Sequence, residues 1–459
     1  MAHDQTKLSI ALTGDSAIMR GGIAGSAEQP IRRLVERLRQ ADVAFTNLEV
    51  LANDFQGYPA QETGGDHMAG HAWVLDELIE MGFDLFATAT NHTLDYSIEG
   101  LLAMMAALEE RGVKYAGVGR NLGEARMPAY YDSPRGSVAL ISCCSTFKRG
   151  QQAGAQRPDM QGRPGINPLR FTTTYRVKPD QLAAIQQIAE DLGFEKRRQE
   201  GIELGFSFPP DDPERFPFGD MHFRAGDAPA TERALDELDV EQIAAWVRDA
   251  RLRADRVIVS LHAHEPGETK EEPAGFIREF SRRMIDEGAD IIAGHGPHLL
   301  RGIEIYRGKP IFYSLGNFID QHDLIYKHPA DAYEKFRLDP GATPAEMARS
   351  RNKDDTGGFV ADRRYWQTVV PVCQFEGDRL ARIEILPVSL GQRAAPQRRG
   401  RPGLAEGNEA REILSDLVRL SEPFGTHIEM PGDYAEIRLP DGSGQNHEIA
   451  DSGNNMNGM

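Results

Sequence analysis

Along this chain an apolar run, a polar turn and a segment with apolar residues at helical spacing recur in that order. Residues 7–13 (KLSIALT) read as a strand closed by Gly14, Asp15 and Ser16. A helix at 27–40 leads into a strand at 42–45, which stops at Thr46, Asn47, Leu48 and Glu49. An amphipathic helix at 73–81 precedes a strand at 83–89 and the polar turn Thr90, Asn91, His92, Thr93, Leu94 and Asp95. A helix at 97–111, an apolar stretch at 113–117 and a strand at 138–142 follow. Strand, polar turn and helix in repetition predict an α/β layered fold with a largely parallel sheet. Such folds place reactive groups just beyond the carboxyl ends of their strands.

From 146 to about 231 this regularity fails. Stretches rich in Pro, Gly and Arg (157–171) and in Pro and aromatics (206–223) flank a helix at 179–199. Long ordered loops in a compact domain are usually functional, so this insertion is expected to form a substrate wall or lid. The pattern resumes with a helix at 231–253 and a strand at 256–261 that ends in His262, Ala263, His264 and Glu265. After a helix at 274–287, the stretch 289–320 sets a buried strand against a Gly-Pro turn bearing His295 and His298. A second apolar strand, 310–315, then ends in Gly316, Asn317 and Phe318. Beyond a polar segment at 321–358, two antiparallel strands (367–375 and 380–387) are expected to extend a sheet edge, before a basic loop and a helix at 408–420. The expected organisation is one α/β domain over 1–330, an extension over 331–439 packed on it, and a disordered tail at 440–459.

Composition narrows the possible partners. A net charge of -18 opposes binding to nucleic acid or an anionic membrane surface. No window approaches the length of a membrane-spanning helix, and the start of the chain lacks the basic and apolar regions of a signal peptide. The three cysteines, Cys143, Cys144 and Cys373, form neither a disulfide framework nor a zinc ribbon and suit a reducing compartment. A cytoplasmic protein is the expectation.

Gathered together, the strand ends offer Asp15, Glu49, Asn91, His92, Asp95, His262, His264, His295 and His298. Carboxylate, imidazole and amide donors in one set suit a divalent transition metal (Zn, Mn or Fe), as one or two ions.

The ordered series Gly14-Asp15, Asn47-Leu48-Glu49, Asn91-His92-Thr93-Leu94-Asp95, Ser260-Leu261-His262, Gly294-His295-Gly296-Pro297-His298 and Ser314-Leu315-Gly316-Asn317-Phe318 resembles the CapA family of poly-γ-glutamate capsule synthesis-type proteins. The resemblance covers roughly 7–320. It implies a calcineurin-like metallophosphoesterase fold, a four-layer α/β/β/α sandwich with a metal centre at the strand ends. The implied ligands are Asp15, Glu49, Asn91, His262 and one or both of His295 and His298. His92 is then a catalytic or supporting imidazole oriented by Asp95, while Asn47, Glu265 and Asn317 support the site or touch substrate.

The sequence also departs from the family pattern. The phosphoesterase-type Asp-x-His reads Asp15-Ser16-Ala17, and the common His-Trp-Gly-x-Glu reads His262-Ala263-His264-Glu265, which adds His264 as a ligand or acid/base group. A branch of the family resembles lasso-peptide epimerases. On that resemblance the expected activity is metal-dependent acid/base chemistry on a peptidic or polyglutamate-like substrate, with Asp15 and His295 as a candidate proton-transfer pair or, alternatively, as plain ligands. The Arg/Pro segment with Arg170 and the basic residues at 398–401 are candidates to hold an anionic peptide terminus. Metal-dependent phosphoester or amide hydrolysis, and a non-catalytic role in capsule biosynthesis, are the alternatives.

Overall fold

Strand pairing in the computed structural model, which describes residues 7–439, gathers the apolar runs into two large sheets of a mixed α/β fold. In the nine-stranded sheet, Lys7–Ala17 lies between Val43–Leu48, its parallel neighbour, and Gln367–Glu376, which runs antiparallel to it. Leu85–Ala87 and Lys114–Ala116 continue one side, and Arg379–Ser389 and Gly403–Leu404 the other. The six-stranded sheet has Gly136–Cys144, Arg256–His262, Ile291–His295 and Lys309–Phe312 in parallel at its centre, with antiparallel strands at both edges.

Alternate side chains on each central strand enter different cores, because successive residues of a strand point to opposite faces. Ile10 and Leu12 share a core with Ile258, Ile291 and Ala293 of the other sheet, whereas Ala11 packs with Leu34, Leu38, Leu78 and Leu108 of the flanking helices. Val257, Val259 and Ile292 likewise turn away from that shared core and meet Val240, Ile243, Phe276 and Phe280. Burial on both faces is why these strands read as unbroken apolar runs.

Several elements differ from the sequence reading. The expected helix at 231–253 is a strand, Ala230–Leu235, followed by a helix only over Glu237–Arg251, where Asp236 caps the first turn by accepting from the Asp239 amide at 3.0 Å. That strand pairs with Phe171–Val177 in a separate four-stranded sheet inside the insertion. The insertion's helix divides at Gly193, whose φ of +71° is left-handed, into Pro179–Asp191 and Phe194–Glu203. The apolar run at 310–315 ends as a strand at Phe312; the chain then crosses to the other sheet, where Asn317–Asp320 pairs in parallel with Lys7–Ala17. The expected tail at 440–459 lies outside the described residues. Among the described residues, no helix is long and apolar enough to cross a membrane.

Candidate metal centre

Parallel register brings the polar strand ends together. Asp15 pairs in register with Asn47 on one side and Asn317 on the other, and His262 with His295. Two close approaches require glycine. A Cβ on Gly14 would overlap the Gly316 carbonyl, which accepts the Asp15 amide at 2.9 Å, and a Cβ on Gly294 would lie 2.5 Å from the Tyr313 carbonyl. The Gly-Pro turn then holds His298 at φ +62°, a backbone conformation uncommon for a non-glycine residue. Strain of this kind clusters at functional sites.

Asp15 and Glu49 sit in the middle of the histidines, both essentially inaccessible to solvent. Asn47 Nδ2 donates to Asp15 Oδ1 at 2.8 Å, and the Gly296 amide donates to Oδ2 at 3.2 Å. Around Asp15 stand His262 Nδ1 at 3.9 Å, His295 Nδ1 at 3.7 Å and His298 Nδ1 at 3.5 Å. Glu49 faces His262 Nε2 at 3.7 Å and His298 Nδ1 at 3.6 Å. Two sets of ligand-capable atoms each fall within 4.8 Å of one another, Asp15–Glu49–His262 and Glu49–His264–His298, and Glu49 belongs to both.

The hydrogen bonding around this cluster is incomplete. Both Glu49 oxygens, both His295 nitrogens and the Oδ1 atoms of Asn47, Asn91 and Asp95 are buried without a hydrogen-bond partner among the described residues. Buried polar atoms in folded proteins are rarely left unpaired, and a divalent cation satisfies acceptors of all these kinds. The donor set therefore fits a transition-metal centre.

Electrostatics agree with a site arranged for positive charge. Burial pushes the Asp15 carboxyl up, but the His298 hydrogen bond and the charge that the neighbouring imidazoles carry when protonated outweigh it and hold the group below the usual carboxylate range. Burial and then the Asp15 charge raise Glu49 well above its ordinary value. Burial pulls His262 down to about 3 and His295 to about 4, keeping both imidazoles neutral as ligands require. His298 differs: against burial, Glu49 and the Asp15 hydrogen bond raise it to about 9.

Supporting groups orient the imidazoles. His92 Nδ1 lies 2.7 Å from Asp95 Oδ2, which also accepts the Met68 amide at 2.7 Å, leaving His92 Nε2 without a hydrogen-bond partner among the described residues. His298 Nδ1 lies 2.9 Å from Asn317 Oδ1, while Asn317 Nδ2 donates to Asp320 Oδ2 at 2.9 Å. The Glu265 carboxylate accepts from the Ser145 and Thr146 hydroxyls, both at 2.8 Å.

Arg170 is not brought to this site. Its guanidinium is bound by Asp239, which also pairs with the buried Arg126, and the three fasten the insertion to helix Glu237–Arg251. The basic residues at 398–401 are also engaged elsewhere, Arg398 and Arg401 with Glu28 and Arg399 with Asp323 and Asp355.

Other residues reach the site without a motif to announce them. Asp320 and His322 form a second carboxylate–imidazole pair, with the His322 ring 6.3 Å from that of His298. Phe359 packs 5.4 Å from the His298 ring and stacks at 4.1 Å on Tyr365. Arg301, only 1% exposed, holds the loop that carries His264. Asp320 closes the Asn317–Asp320 strand, a polar strand terminus that the sequence offers as a signal; Arg301 has none, since arginine after a turn ordinarily reads as surface.

A polar cluster of this composition at the strand ends of a mixed α/β fold defines a candidate metalloprotein. The profile of the family "Bacterial capsule synthesis protein PGA_cap" matches residues 9–322, and the chain belongs to this CapA family. The uncharacterized protein y4uA of Sinorhizobium fredii is 36% identical over 441 residues, spanning 94% of this chain and 93% of its own. The capsule biosynthesis protein CapA of Bacillus anthracis is 23% identical over 69% of this chain and 61% of its own. The PGA biosynthesis protein CapA of Bacillus subtilis is 25% identical over 61% of this chain and 57% of its own. Among solved structures, the NAD nucleotidase of Haemophilus influenzae aligns over 90% of this chain and 56% of its own at 11% identity, with a TM-score of 0.31, too low to bear on fold or chemistry.

Proposed function

We propose that this chain is a metal-dependent enzyme that performs acid/base chemistry on a peptidic or poly-γ-glutamate-like substrate. The observation that carries the reading is the set of buried, unbonded ligand atoms on Glu49, His295 and Asn91 at neighbouring strand ends. Asp15, Glu49, Asn91, His262, His295 and His298 would hold one or two Zn, Mn or Fe ions. When bound, such an ion supplies Lewis acidity to a substrate carboxylate or carbonyl. Two cores outside the sheets and one shared between them support the four-layer α/β/β/α arrangement. In this reading residues 1–330 form the metal-binding domain and 331–439 an extension packed on it. Arg233, on the strand that pairs with Phe171–Val177 of the insertion, donates to the Pro266 carbonyl at 3.1 Å, which supports the 146–231 insertion as a wall next to the His262–Glu265 loop. Three buried free thiols suit a cytoplasmic setting.

Within the site, His92 is the group best arranged to move a proton, because Asp95 fixes its ring and leaves Nε2 unbonded. Asp15 and His295 form the alternative pair, although their central burial favours the role of ligands. Epimerisation at Cα of a C-terminal residue, as in lasso-peptide epimerases, suits two proton-handling groups on either side of a polarised substrate. Hydrolysis of a phosphoester or amide would use the same ligands. The Bacillus relatives are named for capsule and PGA biosynthesis, and a non-catalytic factor in that process is the remaining reading.

Incubating the metal-loaded protein with C-terminal peptides and poly-γ-glutamate in D₂O separates the three. Deuterium at Cα in an intact chain is the expected result. Cleavage without Cα label identifies hydrolysis, and neither outcome across the substrate set leaves the capsule factor.

A further inference from the structure

We propose that His264 is a metal ligand rather than an acid/base group, completing a second ion position with Glu49 and His298, and that Arg301 is the residue that positions it. This inference rests on the metal-centre reading and names which residues divide that centre in two.

Three observations converge on His264. A ligand-capable nitrogen of His264 lies within 4.8 Å of a Glu49 oxygen and a His298 nitrogen, and both Glu49 oxygens are buried without a hydrogen bond among the described residues. Because Glu49 also belongs to the Asp15–His262 set, its two oxygens are available to two positions. His264 Nε2 lies 3.0 Å from His262 Nε2, and its ring stands edge-on to His298 at 5.2 Å. At that separation one ring donates a proton to the other or, with a cation present, each nitrogen is free to turn its lone pair to an ion. The first strand end adds no further ligand: the Ser16 hydroxyl is bonded to Thr46 at 2.8 Å, and Ala17 has no donor atom. Without His264 this set would retain only Glu49 and His298, and structural and catalytic zinc sites use three or four side chains.

Arg301 explains how the loop is held. Its side chain is buried and forms no ion pair among the described residues. Burial penalises the charged guanidinium and the nearby Glu265 charge offsets part of that, but its donors must still be satisfied. Here they go to backbone carbonyls of the His264 loop: His264 and Glu265 at 3.2 Å each, Ala263 at 3.5 Å, and Lys270 at 3.2 Å. From the opposite side, the His264 amide donates to Thr146 Oγ1 at 2.9 Å. The backbone of His264 is thus fixed from two directions, and with it the entry of its ring between His262 and His298.

The test is Co²⁺ binding to the full chain, read by equilibrium dialysis and by the visible absorption spectrum, for wild type, His264→Ala, His264→Gln and Arg301→Lys. The expected wild type binds a second ion more weakly than the first. Both His264 variants keep the first ion and weaken the second about 10-fold or more, and Arg301→Lys reproduces the loss with His264 intact. Should Arg301→Lys not fold, Thr146→Val removes the opposite hold and is expected to weaken the same ion. Wild-type stoichiometry and spectrum in His264→Ala, whether with one ion or two, overturn the assignment and leave the metal centre standing. Unaltered second-ion affinity in Arg301→Lys, or in Thr146→Val if that variant replaces it, overturns the positioning role. No Co²⁺ in the wild type overturns the centre itself.

Discussion

Asp95 contributes nothing to the two ligand sets, yet it decides which nitrogen of His92 is left unbonded. Asp95→Asn keeps the shape and removes the charge that fixes the ring. Turnover should fall about 10- to 100-fold with metal content unchanged, the signature of an orienting group; paired rate and metal measurements on the variant check this. A parallel loss of metal would instead make Asp95 part of the ion-binding set. At this scale the sequence was informative where a polar residue interrupts an apolar run: Asp15, Glu49, His262 and His295 each follow or end a buried strand. It was silent where a partner comes from a distant segment. Asp239, the partner of Arg170, lies 69 residues away, and the acceptors of Arg301 are backbone carbonyls that no side-chain pattern marks.

Elements position the site through backbone contacts that admit no side chain. Gly294→Ala would set a Cβ 2.5 Å from the Tyr313 carbonyl, where Ile291–His295 and the chain leaving Lys309–Phe312 lie side by side. Overpacking of this kind destabilises by about 1–3 kcal/mol, and urea denaturation should show it, together with weaker metal binding by the adjacent His295. The insertion depends on a different device. Asp239 is fully buried and holds both Arg126 and Arg170, so Asp239→Ala leaves Arg126 buried without a counter-charge. Breaking a buried pair in this way costs about 3–5 kcal/mol. Limited proteolysis should then cut within the insertion at urea concentrations where the wild type resists. Strands and helices with a strong period were readable because local pattern and burial agree. The strand Ala230–Leu235 was not: its ladder with Phe171–Val177 joins residues far apart in sequence, and that pairing overrides a local helical pattern. Asn317–Asp320 escaped for a related reason, since its partner is the first strand of the chain.

Across the whole molecule, two sheets meet so that the polar strand ends of both close on one cluster of buried charge. Glu49, Asp15 and Asp95 are mutually repulsive there, and burial magnifies the repulsion. A bound cation relieves it, so the folded chain should gain stability with metal: at a free concentration of 100 times Kd the gain is about 2.7 kcal/mol. Thermal unfolding with and without a chelator measures it, and an unchanged Tm would contradict the gain. The most direct test of the account is elemental analysis of the purified wild-type protein beside Glu49→Ala. The account predicts about one or two equivalents of a transition metal in the wild type and a clear loss in the variant, because Glu49 belongs to both ligand sets. Absence of metal from the wild type after reconstitution, or equal metal in the variant, would contradict it.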